Sequence, residues 1–352
     1  MTLFDIFNNS WSGGRMGADD RKRLFWYLKR KTSYTAWGRA AEEFDAFAEI
    51  FKKQVIEEPI TPGGIFGGTE WEKHYIEILR AQVFFEQGLF RLRKGDRSVW
   101  LYNDRGVLRD ALMIANLWYA ELMFGGERYD HEYQGKYLEE LKRAIKRYFD
   151  VSEDAGYVQP MMVGSRSPLF WGEFLECILN NQTFPRTLVN GVTPTSYGAP
   201  LVYPSPLPDV PESIPDQRVY TGEAVTSDGV YEPLVKDGCM NYLLKDTSAP
   251  PLAVEGGSSR PVVWKLIWQD NRYVDGQIPV EERLYFPPEV LKTTQPSFTV
   301  PDVVSALTGE IASRDGTWAV MDELKTKLVC REGEKMPPSQ GRDVTWVWLD
   351  KS

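Results

Sequence analysis

The chain has 352 residues, of which 42% are hydrophobic, 13% aromatic and 26% charged, a balance that excludes disordered and collagen-like classes and supplies ample material for a core. Lys and Arg number 41 against 50 Asp and Glu, and the resulting formal charge of −9 argues against direct nucleic-acid binding through phosphate backbones. The excess acidity is uneven: residues 1–150 hold 24 basic and 23 acidic side chains, whereas the remainder holds 17 and 27, which serves either solubility or the steering of a basic partner.

Up to residue 182 the apolar spacing is helical and predicts an antiparallel helical bundle. A short helix is expected over 19–30. Trp37, Ala40, Ala41, Phe44, Phe47, Ala48 and Phe51 then trace one stripe at intervals of three and four. Thr69 with Glu72 has the capping-box spacing and predicts a helix start, continued by Trp71, Tyr75, Ile78, Leu79 and Val83. Leu108, Leu112, Ala115, Tyr119 and Leu122 form a further stripe closed by Gly125-Gly126, and Tyr137, Leu141, Ala144 and Tyr148 another. A last short helix is expected over 168–179. Eight prolines between Pro185 and Pro215 then predict an extended connection over 183–219.

From residue 220 the pattern becomes that of strands. Asp-Gly pairs at 228–229, 237–238, 275–276 and 315–316 are read as hairpin turns. Val262, Trp264, Leu266 and Trp268 alternate with Val263, Lys265 and Ile267, and Val344, Trp346 and Trp348 with Thr345, Val347 and Leu349, so each strand is expected to place two tryptophans on one face. Thr221-Gly222-Glu223 followed by Asp228-Gly229 and Tyr231 recurs as Thr308-Gly309-Glu310, Asp315-Gly316 and Trp318 at a constant offset of 87 residues. Pro250-Pro251 recurs as Pro337-Pro338, and two related β modules, 220–288 and 303–352 joined by 289–302, are expected. The fold class is therefore α+β.

The strings Ser227-Asp228-Gly229-Val230-Tyr231-Glu232-Pro233, Gly238-Cys239-Met240-Asn241-Tyr242-Leu243, Trp264-Lys265-Leu266-Ile267-Trp268 with Arg272-Tyr273, and Ile278-Pro279-Val280-Glu281-Glu282 resemble those of bacterial immunity proteins. These accompany secreted toxins of polymorphic, Rhs and type VI systems. Gly333-Glu334-Lys335-Met336-Pro337 and Trp346-Val347-Trp348 are also similar, so the resemblance spans about 220–350; Tyr231 departs from it where a tryptophan is expected. The helical part carries no motif of its own. The resemblance implies a toxin-neutralising protein and no catalytic residues.

The chemistry of the remaining motifs points the same way. Gly63 and Gly68 have phosphate-loop spacing but are followed by Thr69 and Glu70 instead of Lys and Ser or Thr. Glu281 and Glu282, if extended, face opposite ways and do not flank one bond. Cys177, Cys239 and Cys330 form no Cys-x-x-Cys pair, and with only His74 and His131 no metal or cofactor is expected. No window has the roughly 18 apolar residues of a membrane span, and Met1 to Phe7 lacks the features of a secretion signal, which makes a cytoplasmic location the expectation.

Two functions follow as expectations. The first is stoichiometric occlusion of a cognate toxin, basic and acting in the cytosol, with a nuclease or RNA-modifying enzyme favoured; the contact candidates are Glu223, Asp228, Glu232, Asp275, Glu281, Glu282, Glu310 and Asp315. The alternative is a glycan-binding or carbohydrate-active protein that uses tryptophans of the tandem modules.

Overall fold

A computed structural model describes residues 18–58, 60–61, 69–101, 106–124, 135–152, 155, 203–214, 216–234, 240–253, 259–286, 304–321 and 323–350. The described helices are α1 (Ala18–Lys31), α2 (Tyr34–Glu57), α3 (Trp71–Leu92), α4 (Val107–Phe124) and α5 (Leu138–Ser152), and the fold is α+β as expected. Every member of the Trp37-to-Phe51 stripe is buried on α2, where Phe44 meets Phe85 and Tyr148 with ring centroids 5.5 and 5.3 Å away. The expected helix over 168–179 and the proline-rich stretch up to Val202 lie outside the described residues.

The start of α3 corrects the capping-box reading. Thr69 and Glu70 form a strand, β2 (Thr69–Glu70), paired with β1 (Ile60–Thr61), so the helix begins at Trp71. Extended pairing holds the Thr69 and Glu70 backbone out of the helix. At its other end α3 runs past Val83 and buries Phe84, Phe85, Leu89 and Leu92.

The strands after residue 216 are β3 (Arg218–Tyr220), β4 (Gly229–Pro233), β5 (Asn241–Leu243), β6 (Leu252–Ala253), β7 (Ser259–Arg260), β8 (Val263–Gln269), β9 (Ser305–Leu307), β10 (Gly316–Val320), β11 (Glu323–Cys330) and β12 (Thr345–Asp350). Two antiparallel four-stranded sheets result, ordered β3-β8-β4-β5 and β9-β12-β10-β11. This is one topology used twice. The repeat extends to single bonds: Trp264 Nε1 donates to the Pro250 carbonyl and Trp346 Nε1 to the Pro337 carbonyl, each at 2.8 Å. Val262 N and Val344 N each donate to a threonine, Thr221 and Thr308, at 2.9 Å. Gly222 and Gly309 share a left-handed backbone, φ +90° and +87°, at the matching turn.

Two strand expectations change in detail. The Asp228-Gly229 pair does not make a hairpin, because β3 and β4 are separated by β8; Gly229 instead lies so close to β8 that an added Cβ would stand 2.1 Å from the Trp268 carbonyl oxygen. On β8 the register jumps, with Tyr231 opposite Leu266 and Val230 opposite Trp268, so Ile267 is a bulged extra residue. The bulge turns Trp268 to the face opposite Trp264. In the second module Trp346 and Trp348 stay on one face with Trp318, as expected, because the corresponding jump falls after Trp348.

The chain divides into two compact units. The first comprises Met1–Ala40, Leu89–Arg109 and Phe149–Gln295 and contains the first sheet; the second comprises Ala41–Gly88, Asp110–Tyr148 and Pro296–Ser352 and contains the other.

Candidate functional site

In the first unit, α1 sets a row of cations against the first module. Arg21 makes a two-pronged bond to Glu232, at 2.7 and 2.9 Å, and Lys29 pairs with Glu281 at 2.7 Å while lying 5.0 Å from the Trp268 ring centroid. Lys22 reaches Asp209, and Trp26 contacts Tyr203, so the described end of the proline-rich stretch is seated on the same helix. Glu232 in turn holds the Arg21 guanidinium above its ordinary pKa by the hydrogen bond it accepts.

Beneath this row lies a buried ionic cluster. The Asp270 carboxylate accepts from Arg272 Nε at 2.8 Å and Nη2 at 2.7 Å, from Arg97 Nε at 3.1 Å, and from the Tyr242 hydroxyl at 2.7 Å. Burial alone would raise the Asp270 pKa, but the two guanidiniums hold it well below the usual carboxylate range. Arg272 donates onward to the Lys29 and Thr32 carbonyls at the end of α1, at 2.8 and 3.1 Å. The cluster thereby ties a short helical turn (Ser98–Trp100), the end of α1 and the tail of β8 into one polar knot. Removing one charge from such a knot strands the others in a dry site.

The eight acidic candidates occupy three kinds of place. Glu282 is buried and accepts from Thr35 N at 3.0 Å, from Thr35 Oγ1 at 2.6 Å and from the Tyr273 hydroxyl. Glu232 and Glu281 are half-buried in the ion pairs with α1. Glu281 and Glu282 lie in a 3-10 turn (Val280–Leu284) instead of an extended segment, yet their carboxylates still diverge. Glu223 and Glu310 are repeat equivalents that each accept from a backbone amide three residues earlier, Tyr220 N and Leu307 N. Asp228 and Asp315 likewise accept from Lys245 N and Glu332 N, each 17 residues on. Asp275 accepts from Gln277 N within its own turn. Glu223, Asp275, Glu310 and Asp315 are solvent-exposed.

The tryptophans serve packing. Trp264 and Trp346 are buried in the cores of the two modules, Trp268 stands edge-on to Phe25, and Trp348 donates to the Asp315 carbonyl at 3.0 Å. The second module rests on α3 through Val347, with Leu79 and Val83 buried against it and Tyr75 and Met321 alongside. Cys330 is buried and reduced; Cys177, Cys239 and His131 lie outside the described residues. Among the described residues no group of three or more His, Cys, Asp or Glu side chains is placed to hold a metal ion, and no helix is long and apolar enough to cross a membrane.

The knot and the α1 ion pairs were not read from the sequence. Asp270 and Arg97 carry no motif, and Arg97 is 173 residues from its acidic partner. A signal was present in Arg272-Tyr273, which the resemblance included without a role.

These observations define an α+β protein in which a repeated four-stranded sheet is mounted on helices. Residues 16–184 match the family model of immunity protein 71, and residues 210–286 match that of immunity protein 72, so matches to two immunity-protein families cover the helical part and the first module. The first match covers the helical part, where no motif had been legible. Neither the curated proteins nor the solved structures gave a match.

Proposed function

We propose that this protein neutralises one secreted antibacterial toxin by stoichiometric binding that occludes the toxin's active site or the approach of its substrate, with no chemistry of its own. The observation that carries the reading is the pair of immunity-family matches covering both the helices and the first module. The geometry supports it: the structure invests buried ion pairs in holding a preformed surface, which lowers the ordering cost of association. The toxin belongs in this reading to a polymorphic, Rhs or type VI system and acts in the cytosol, where the immunity protein resides. Its domain is basic, as in a nuclease or RNA-modifying enzyme, to complement the acidic second part of the chain. Of the acidic candidates, the exposed Glu223, Asp275, Glu310 and Asp315 remain free to face that partner, and Glu232, Glu281 and Glu282 serve the fold. Co-expression with the adjacent toxin gene tests the proposal: the immunity protein should restore growth, and equal killing with and without it would refute the function.

A further inference from the structure

Helix α4 is apolar on two opposite sides. Ala111, Ala115, Trp118 and Leu122 are buried, and the Trp118 ring stands edge-on to Phe51 of α2 and His74 of α3, with centroids 5.1 and 5.6 Å away. At 100° per residue, Met113, Leu117, Ala120 and Phe124 fall on the side facing away from those four, in one sector about 60° wide. Each is three or four residues from the next, so they are neighbours on the helix surface. Met113, Leu117 and Phe124 are 56%, 37% and 66% exposed.

The outward side between Asp110 and Phe124 carries no charged group. Asn116 is exposed and polar but neutral, and Glu121 is buried on the flank. The outward side of α5 is built in the usual way for a solvated helix, with Glu139, Arg143, Lys146 and Arg147 exposed. A helix that is apolar all round belongs in an interior, and the four-three-four spacing of Met113, Leu117, Ala120 and Phe124 is that of the seam between two paired helices.

We infer that the outward side of α4 is the contact between two copies of this chain, packed as an antiparallel helix pair about a two-fold axis. Charge decides the occupant. The toxin proposed above is basic, and a cationic surface has no carboxylate to meet on this stripe. A membrane surface selects helices with Lys and Arg flanking the apolar stripe, whereas α4 has Arg109 alone, followed at once by Asp110. A second copy needs a face that does not repel itself and is complementary to itself under rotation. With the axis between Leu117 and Ala120, antiparallel packing sets Leu117 against Ala120 at the centre, a large side chain against a small one, and the pliable Met113 against the Phe124 ring at each end. Phe124 is already braced, edge-on to Tyr119 with centroids 5.8 Å apart. The exposed stripe amounts to about 300–400 Å² per copy, so the interface lies at the small end of the range and the dimer dissociates at about 10–100 µM. None of this depends on the toxin.

Sedimentation equilibrium of the full-length protein from about 1 to 500 µM tests the inference, because a dimer of this strength makes the mass rise with concentration. Leu117→Glu should weaken association more than about 10-fold, and Phe124→Gln, at the more exposed end, about fivefold, with circular dichroism melts confirming that both fold. Leu117→Glu combined with Ala120→Lys should recover association, since the antiparallel register sets each glutamate against the lysine of the other copy. Val329→Glu, at an exposed site in the second module, should stay within about twofold of wild type. A mass that stays monomeric across the range, or a dimer that Leu117→Glu leaves intact, would overturn the inference. In a monomeric wild type, a fall in Tm on Leu117→Glu would give the face to a segment of its own chain, and a loss of toxin affinity would give it to the toxin.

Discussion

In the first module the register pair on the helix-facing side is Glu232 opposite Lys265, and Arg21 of α1 closes on the glutamate. In the second module the same pair is Ala319 opposite Val347, and Val347 packs on Leu79 and Val83 of α3. One sheet design is thus fastened by charge in one unit and by apolar contact in the other. The contrast shows that core residues and turn caps define the module, whereas the outer face is free to change its chemistry. It also shows that part of the acidic excess is consumed internally.

The largest test of the contrast is the buried knot. Asp270→Ala should leave Arg97 and Arg272 facing each other without their counter-charge and destabilise the protein by about 3–5 kcal/mol in urea unfolding. A loss below about 1 kcal/mol would mean that the first module is not held by charge. Leu79→Ala, which opens the apolar mount of the second module, should cost about 2–4 kcal/mol, a loss that moderate salt leaves unchanged.

The two units should also differ in their response to pH. In the second unit, burial pushes the Asp45 carboxyl up to about 6, aided by Glu49 and opposed by the hydrogen bond from Gln82; burial and the nearby Asp45 push Glu86 up to about 7. The folded state therefore binds more protons than the unfolded chain between the ordinary carboxylate range and these raised values, and stability falls as pH rises from about 4 to about 7. Asp270 in the first unit has the opposite sign: its contribution is present above the ordinary Asp value and disappears only as pH falls below it. Thermal melts of Asp45→Asn and Glu86→Gln should show a higher Tm than wild type at pH 8 and a smaller gain at pH 5. An unchanged pH profile in both would remove the assignment. The smallest effect belongs to Arg21→Ala, about 0.5–1 kcal/mol and shrinking as salt rises, because that pair is partly solvated.

Helix positions were legible because burial on one face leaves its period in a short window of sequence, and the Trp37-to-Phe51 stripe is buried throughout. The repeat was legible for a related reason: Thr221, Glu223 and Asp228 bond to backbone groups at spacings that Thr308, Glu310 and Asp315 reproduce. The start of α3 is not legible locally, because it is the pairing of Thr69 and Glu70 with Ile60 and Thr61 that holds these residues out of the helix. Strict alternation puts Trp268 on the face of Trp264, and the one-residue bulge at Ile267 inverts it.

By itself, the sequence determined the α+β class, the helical stripes, the duplicated module and the resemblance to immunity proteins, all carried by neighbouring residues or by repetition. The tertiary structure alone decided which charges face water. Arg21 meets Glu232 across 211 residues and Lys29 meets Glu281 across 252, and no local pattern distinguishes an acid with such a partner from one without.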